Sequence, residues 1–431
     1  MTFNTGSMGD RKSAAEGMIF RQHVLTHGHV LSWDFRGLSC LIRDLCAAFD
    51  KGNVPLPGWP DAAILLKPNL NNDLLALTGN STDLRVLVAL VRALQQRGYT
   101  NITLADGPNI GIYRKGVDVL GRLGIRALAG RLGLRVLDLN QAPTVEVEVA
   151  TGKVRVAEVC LRADFFIGVP KVKTHAEAGL SAAVKNLMGC VSGVDKRLMH
   201  RDLAANLVHL NEQVRPHWIL VDGLIGMEGN GPGDGAPRRL DLLLCGDDPF
   251  RLDLLLARLV GLDYAAIPYL AIARQRGHIS DEDIRLVERI APVAAFEPAP
   301  RRGLAARILD HRALALVRDL TRPLHGSEAA RAMLYRLGII QDVYRQAEAR
   351  IEKLSLDRQR CDDCGACVTV CPMELPVTDA DFGFLETPAC LGCLYCALIC
   401  PREAIAIEGD LGYLHDHLAR YGKSIRCLGT R

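Results

Sequence analysis

Between residues 361 and 401 one cysteine spacing occurs twice, and no other feature limits so tightly what this chain can fold into. Cys361, Cys364, Cys367 and Cys371 run up to Pro372; Cys390, Cys393, Cys396 and Cys400 run up to Pro401. Each run reads C-x2-C-x2-C-x3-C-P. Three thiols at intervals of three curl a short turn around one face of a cubic iron–sulfur cluster, and the fourth ligand must come from elsewhere. Structural zinc takes four ligands per ion and does not favour three cysteines in a row followed by Cys-Pro. A disulfide scaffold belongs to secreted proteins, and Met1–Asp10 lack the basic flank and apolar core of a secretory signal. Small residues between the ligands (Gly365, Ala366, Gly392) let backbone N–H groups approach the sulfurs.

This repeat is similar to that of the bacterial ferredoxins that carry two [4Fe–4S] clusters, where the last cysteine of each run serves the other cluster. The resemblance implies one cluster on Cys361, Cys364, Cys367 and Cys400 and a second on Cys390, Cys393, Cys396 and Cys371. It also implies electron transfer, a reducing cytoplasm and a redox partner protein.

The remaining chain is long and apolar enough to fold as a body of its own: of 431 residues, 49% are hydrophobic and 23% charged. No apolar run approaches the ~18–20 residues of a membrane span, so none is expected. Charge is divided unevenly. Residues 361–409 hold eight acids and one base, while 301–360 hold thirteen Lys and Arg against seven acids. Solvated helix faces, some turned to the acidic module, explain that basic stretch better than nucleic acid does.

From residue 61 onward strand-like and helix-like segments alternate. Ala62–Leu66, Ile102–Ala105, Leu134–Leu139, Asp164–Val169, His217–Val221 and Leu240–Cys245 read as strands, with an amphipathic helix over 83–96. Val145–Val149 and Val154–Val159 read as a hairpin. The pattern predicts an α/β domain around a mostly parallel layered sheet. We expect an N-terminal extension (1–60), the α/β domain (61–264), a helical connector (265–356, clearest at Asp281–Ile290 and Ser327–Leu354), a small α+β ferredoxin-like domain (357–410) and a C-terminal tail (411–431).

In such sheets ligands bind beyond the carboxyl ends of the strands, and polar residues gather there. Lys67, Asn69 and Asp106 follow two strands. Lys171, Lys173 and His175 alternate after a third; Lys185 and Asn186 follow on a helix among small residues. Such lysines suit a phosphate, a carboxylate or a carbonyl, and His175 suits proton transfer or metal ligation. Asp222 ends a further strand and opens a segment with six glycines in fourteen residues, through Glu228 and Asn230 to Gly235. Its backbone N–H groups suit an anion, and its two acids a cation. We assign His175, Lys185 and Glu228 as candidate catalytic residues. Lys67, Asn69, Asp106, Lys171, Lys173, Asn186, Asp222 and Asn230 are candidate substrate-binding residues.

Lys67-Pro68-Asn69, Asp106-Gly107, Pro170–His175, Lys185–Gly189, Asp222 and Met227–Pro232 together resemble the domain-of-unknown-function 362 family over about residues 60–260. Many of its members carry a fused two-cluster ferredoxin module. Where the family usually reads His-Thr-Asp-Pro, this chain has Ser81-Thr82-Asp83-Leu84, so any role of that histidine is absent. In outline His175, Gly179 and Lys185 are also similar to the nickel-pincer lactate racemases, whose histidine, glycine-rich stretch and lysine surround a covalently held cofactor. That similarity supports His175 and Lys185 and leaves a second organic or metal cofactor open.

These readings point to an iron–sulfur oxidoreductase that passes electrons between two [4Fe–4S] clusters and an anionic substrate or second cofactor in the α/β domain. An electron-carrier or adaptor subunit of a larger redox complex, and a transferase or isomerase with structural or regulatory clusters, are the rivals. Anaerobic purification is expected to give about eight irons and as much sulfide per chain; about four would leave one of the two crossed cysteine sets without a cluster.

Overall fold

The structure is a computed structural model that describes residues 20–25, 28–300, 345–379 and 382–430. Its body is a ten-stranded sheet. The parallel centre comprises β3 (Ile64–Pro68), β4 (Ile102–Asp106), β5 (Arg135–Asp138), β8 (Phe165–Val169) and β11 (Trp218–Glu228). Antiparallel strands β12 (Ala236–Gly246), β2 (Gly28–Asp34) and β1 (Phe20–Leu25) complete one edge, in the order β1-β2-β12-β11-β8-β3-β4-β5. β9 (Lys171–His175) pairs with β11 and with β10 (Gly179–Ser181). β6 (Thr144–Val149) and β7 (Gly152–Ala157) form the expected hairpin as a separate sheet. All five residues of β3, of β4 and of β8 are buried, as strands covered on both faces must be.

Helices cover both faces. On one lie α1 (Leu38–Asp50) and α2 (Leu84–Gln96), whose N-cap is Asp83 accepting from the Arg85 N–H. On the other lie α3 (Leu203–Gln213) and α4 (Pro249–Leu259). The stretch expected as an N-terminal extension supplies β1, β2 and α1, because β2 covers the otherwise open edge of β12.

The connector expected to be helical through Leu354 is not so at its end. Arg350–Leu356 is a strand, β13, paired antiparallel with β14 (Ile405–Asp410). Leu354 is buried there, so pairing across the cluster module outweighs local helix preference. Helices at Pro268–Gln275 and Asp281–Glu288 begin the region; residues 301–344 of that expectation lie outside the described residues.

Short helices α5 (Ala366–Val370) and α6 (Tyr395–Ile399) carry the cysteine runs. The stretch expected as a tail is a fifteen-residue helix, α7 (Leu414–Leu428), which ties the module to the body. One continuous apolar core joins Leu84, Leu87, Leu123 and Ile125 to Leu391, Leu394, Tyr395, Leu398 and Ile425. Polar ties rim it: Tyr421 Oη donates to the Gly233 carbonyl (3.1 Å), Tyr413 Oη to that of Arg122 (3.2 Å), and Ser39 Oγ to Glu374 (2.6 Å). Arg122 lies over the Tyr413 ring and pairs with Asp73 (2.6 Å) and Glu348 (2.7 Å). Among the described residues no helix is long and apolar enough to cross a membrane. Replacing Arg122 with Met strands the buried Asp73 carboxylate and is expected to cost about 3 kcal/mol. A denaturant midpoint equal to wild type would show that the pair contributes nothing.

Candidate functional site

The sheet order sets the site. β3 lies between β4 and β8, so the carboxyl ends of three adjacent parallel strands deliver Lys67-Pro68-Asn69, Asp106-Gly107 and, through Pro170, strand β9 to one place. There a cleft of about 180 Å³ opens, lined among others by Asn69, Asp106, Lys173, His175, Lys185 and Asn186. That volume suits a small ligand, below the ~300–1,000 Å³ of drug-sized pockets.

Its floor is a buried polar network in which, among the described residues, Asp106 Oδ1 and Asn80 Oδ1 have no hydrogen-bond partner. Lys67 Nζ lies 2.7 Å from Asp106 Oδ1 and donates to Asn186 Oδ1 (3.3 Å). Asn186 Oδ1 also accepts from Asn69 Nδ2 (3.2 Å), and Asn186 Nδ2 donates to the Lys67 carbonyl (3.2 Å). Lys173 Nζ donates to Asn69 Oδ1 (2.9 Å) and to the Asn80 carbonyl (2.8 Å). Gly189 passes so close above the ion pair that a Cβ there would sit 2.0 Å from Asp106 Oδ1 and 2.7 Å from Lys67 Nζ. The Lys185 segment therefore needs glycine where it crosses the floor.

Electrostatics favour an anion. Burial, then the charges of Lys185 and Lys171, lower the Lys173 ammonium to about 7. Burial lowers Lys185 to about 8, and Lys196 to about 8 against the pull of Asp106. Arg197 and His200 also line the cleft, and Asp106 is the one acid among its lining residues. His175 accepts at Nδ1 from the N–H groups of Glu177 and Ala178, both at 3.1 Å. With Nδ1 occupied as an acceptor, the proton of the neutral ring belongs on Nε2.

Four candidates lie elsewhere. Lys171 Nζ pairs with Asp222 Oδ2 at 2.9 Å, both fully buried, and Asp222 also accepts the Asp83 N–H at 2.7 Å. β11 runs on through Glu228 by way of a bulge after Gly223 instead of ending at Asp222. Glu228 accordingly accepts the Glu297 N–H (3.1 Å) and faces Arg238 (3.7 Å), outside the cleft. Asn230 is exposed and donates to Asp234 (2.9 Å). The glycine-rich turn leans on β9: Thr174 Oγ1 donates to the Gly229 carbonyl (2.8 Å), and a Cβ on Gly231 would meet the Thr174 carbonyl at 2.2 Å. Only Pro232 of that turn lines the cleft. Neither Asp222 nor Glu228 joins a cation site: among the described residues no three His, Cys, Asp or Glu side chains converge as ligands of one ion.

Sequence reasoning missed Lys196, Arg197 and His200. Lys196 is buried, with its ammonium on Asn140 Oδ1 and the Val191 carbonyl. Its signal was faint: Lys196-Arg197 and His200 one turn apart, beyond any strand end.

In the module, each cysteine run meets the far end of the other. Burial raises the Cys367 thiol to about 11, with Cys400 and Cys364 adding to it. Burial raises Cys396 to about 12, with Cys371 and Cys390 adding, and Cys371 also bears on Cys390 and Cys393. Backbone N–H groups of Leu375, Gly392 and Ala404 point at the sulfurs of Cys371 (3.4 Å), Cys390 (3.4 Å) and Cys400 (3.3 Å). Cys364, Cys367 and Cys400 on one side and Cys390, Cys393, Cys396 and Cys371 on the other interact in the crossed sense that two clusters of four cysteines each require, with N–H donors around them.

Fold and cysteines together define an α/β domain joined to a two-cluster ferredoxin module. Residues 64–258 match the domain of unknown function DUF362, and 353–401 match a 4Fe-4S dicluster domain. The chain is 30% identical over 239 residues to the thylakoid-associated protein sll1697 of Synechocystis sp., a match covering 52% of this chain and 70% of that one. It belongs to the DUF362 family. The apoprotein of a lactate racemase from Thermoanaerobacterium thermosaccharolyticum is similar over 44% of this chain and about half (49%) of its own, at 9% identity and a TM-score of 0.30. Likeness at that level transfers no chemistry.

Lys173, Lys185 and Lys196, at about 7, 8 and 8, keep their charges below neutrality and shed them as pH rises past those values. Affinity for sulfate, whose own charge is constant there, is expected to fall at least tenfold from about pH 6.5 to about pH 9 as charge-assisted hydrogen bonds are lost. Flat affinity by calorimetry would show that the lysines do not meet the anion.

Proposed function

We propose that this protein is an iron–sulfur oxidoreductase whose α/β cleft binds a small anionic substrate or second cofactor. The dicluster domain gives the chain iron–sulfur electron-transfer capacity. Cys361, Cys364, Cys367 and Cys400 would hold one [4Fe–4S] cluster, and Cys390, Cys393, Cys396 and Cys371 the other; when bound, each supplies one-electron transfer.

The observation that carries the reading is the excess of cations over one acid in a small polar cleft, on the chain that bears the cluster cysteines. In this assignment Lys185 and Lys196 bind the anion, and Lys173 holds or gives a proton at Nζ. Its depressed pKa, about 7, suits proton exchange near neutrality. His175 donates from Nε2 to an oxygen of the ligand, which replaces the acid–base role expected of it. Lys67, Asn69, Asp106 and Asn186 hold these groups in place and keep Lys173 oriented. Lys171 and Asp222 act beneath the site as a structural pair.

The neutral and cationic forms of Lys173 sit close in energy, so ligand charge decides which is present. An arriving anion raises that pKa and draws a proton in with it. The acidic cluster module at the surface suits exchange with a redox partner protein.

Lys185→Ala is expected to weaken sulfate binding about 10–100-fold while leaving iron content and the visible spectrum unchanged. Unaltered binding would remove Lys185 from the site. Loss of iron as well would show instead that the substitution damages the fold.

A further inference from the structure

The two cysteine sets do not face the same surroundings. Cys364 is exposed and Cys361 partly so. The second set lies against the body. The Cys393 Cβ approaches Gly124, Arg131 donates to the Cys390 carbonyl (3.5 Å), and Leu394 and Tyr395 are buried.

Tyr395, set between Cys393 and Cys396, shares one apolar core with Leu84, the first residue of α2, and a Cβ on Gly124 would lie 3.6 Å from Leu84 Cδ1 and 3.9 Å from the Cys393 Cβ; Asp83 and Arg85 lie near enough for their charges to bear on Tyr395. From there two short routes reach the cleft, both buried. In the first, Arg85 pairs with Asp83 (2.8 Å), the Asp83 N–H meets Asp222 (2.7 Å), and Asp222 pairs with Lys171 (2.9 Å), whose charge acts on Lys173. In the second, the Thr82 N–H donates to the Asn69 carbonyl (3.0 Å) and the Asn69 N–H to Thr82 Oγ1 (2.8 Å). Asp83, Lys171 and Asp222 are each 0% exposed, so water screens these charges little.

We propose that Tyr395, Arg85 and the first residues of α2 form a junction that couples the cluster site of Cys390, Cys393, Cys396 and Cys371 to the cleft, and that the site of Cys361, Cys364, Cys367 and Cys400 stands outside this coupling. The proposal rests on the reading of the cleft as an anion site. Tyr395 and Arg85 are positioning residues here: they touch the module and the network, not the ligand. Coupling is reciprocal. An anion in the cleft makes the inner cluster harder to reduce, and reduction weakens anion binding.

The test is an EPR-monitored redox titration of the anaerobic holoprotein with and without sulfate, with sulfate binding measured separately by calorimetry. A soluble dysprosium chelate relaxes the signal of the exposed cluster and so tells the two apart. Sulfate is expected to lower the midpoint of the shielded cluster alone. Arg85→Gln, which removes a buried cation beside Tyr395, should lower the same midpoint and reduce the sulfate effect. Tyr395→Phe, which keeps the ring and deletes only the hydroxyl, should shift that midpoint less and serves if the Arg85 variant does not fold. Sulfate that binds yet moves neither midpoint, or moves the exposed cluster, overturns the junction. Should sulfate not bind, the anion reading falls, and the variants alone decide: a shift confined to the shielded cluster supports the junction, and no shift overturns it.

Discussion

Three lysines buried at the ends of neighbouring strands set the terms for the rest of this structure. Lys67, Lys171 and Lys173 are at most 1% exposed, and a buried ammonium is tolerated only with partners. Lys67 takes Asp106, Lys171 takes Asp222, and Lys173 is left with two neutral acceptors, Asn69 Oδ1 and the Asn80 carbonyl. That inequality makes the cleft. Two lysines are consumed by the fold, and the third remains open to an added negative charge.

Meeting those demands draws in the surrounding elements. Asp222 satisfies Lys171 and at the same time anchors the start of α2 through the Asp83 N–H. Leu84, at the same end of α2, shares one apolar core with Tyr395 of the cluster module. Chemistry at the strand ends and seating of the module are therefore one problem, solved at residues 82–85. The C-terminal helix closes the assembly, with Tyr413 and Tyr421 reaching carbonyls of the body and Arg122 lying beneath Tyr413. Fusing the module to the body thus fixes one set of cysteines inward and leaves Cys364 outward.

Much of the site was legible because strand ends announce themselves. A run of buried apolar residues that stops at a lysine or an aspartate marks where a parallel sheet presents its ligands, which located Asn69, Asp106, Lys173, His175, Lys185 and Asn186. Glu228 and Asn230 were misplaced because a bulge carries β11 past Asp222, and a bulge leaves no mark on composition. Lys196 went unseen because its partners, Asn140 and Val191, approach only when the chain folds back on itself. Residues 350–354 look helical in isolation and pair with Ile407–Asp410 of β14, far along the chain. His175 lines the cleft as its place after a strand predicts, yet the use of its Nδ1 depends on two N–H groups whose direction no motif encodes.

The sequence by itself determined the α/β class, the repeated cysteine spacing and the set of polar residues at the strand ends. Each follows from local rules: burial periodicity, ligand intervals and the chain reversal that ends a strand. Only the tertiary structure decided which lysine lacks a counter-charge, which cysteine run faces the body and which acids are spent as structural partners. Those outcomes depend on distances between residues far apart in the chain, such as Lys171 with Asp222 and Lys173 with Asn80. The energy of a buried charge is set by what packs against it, not by what stands beside it in sequence.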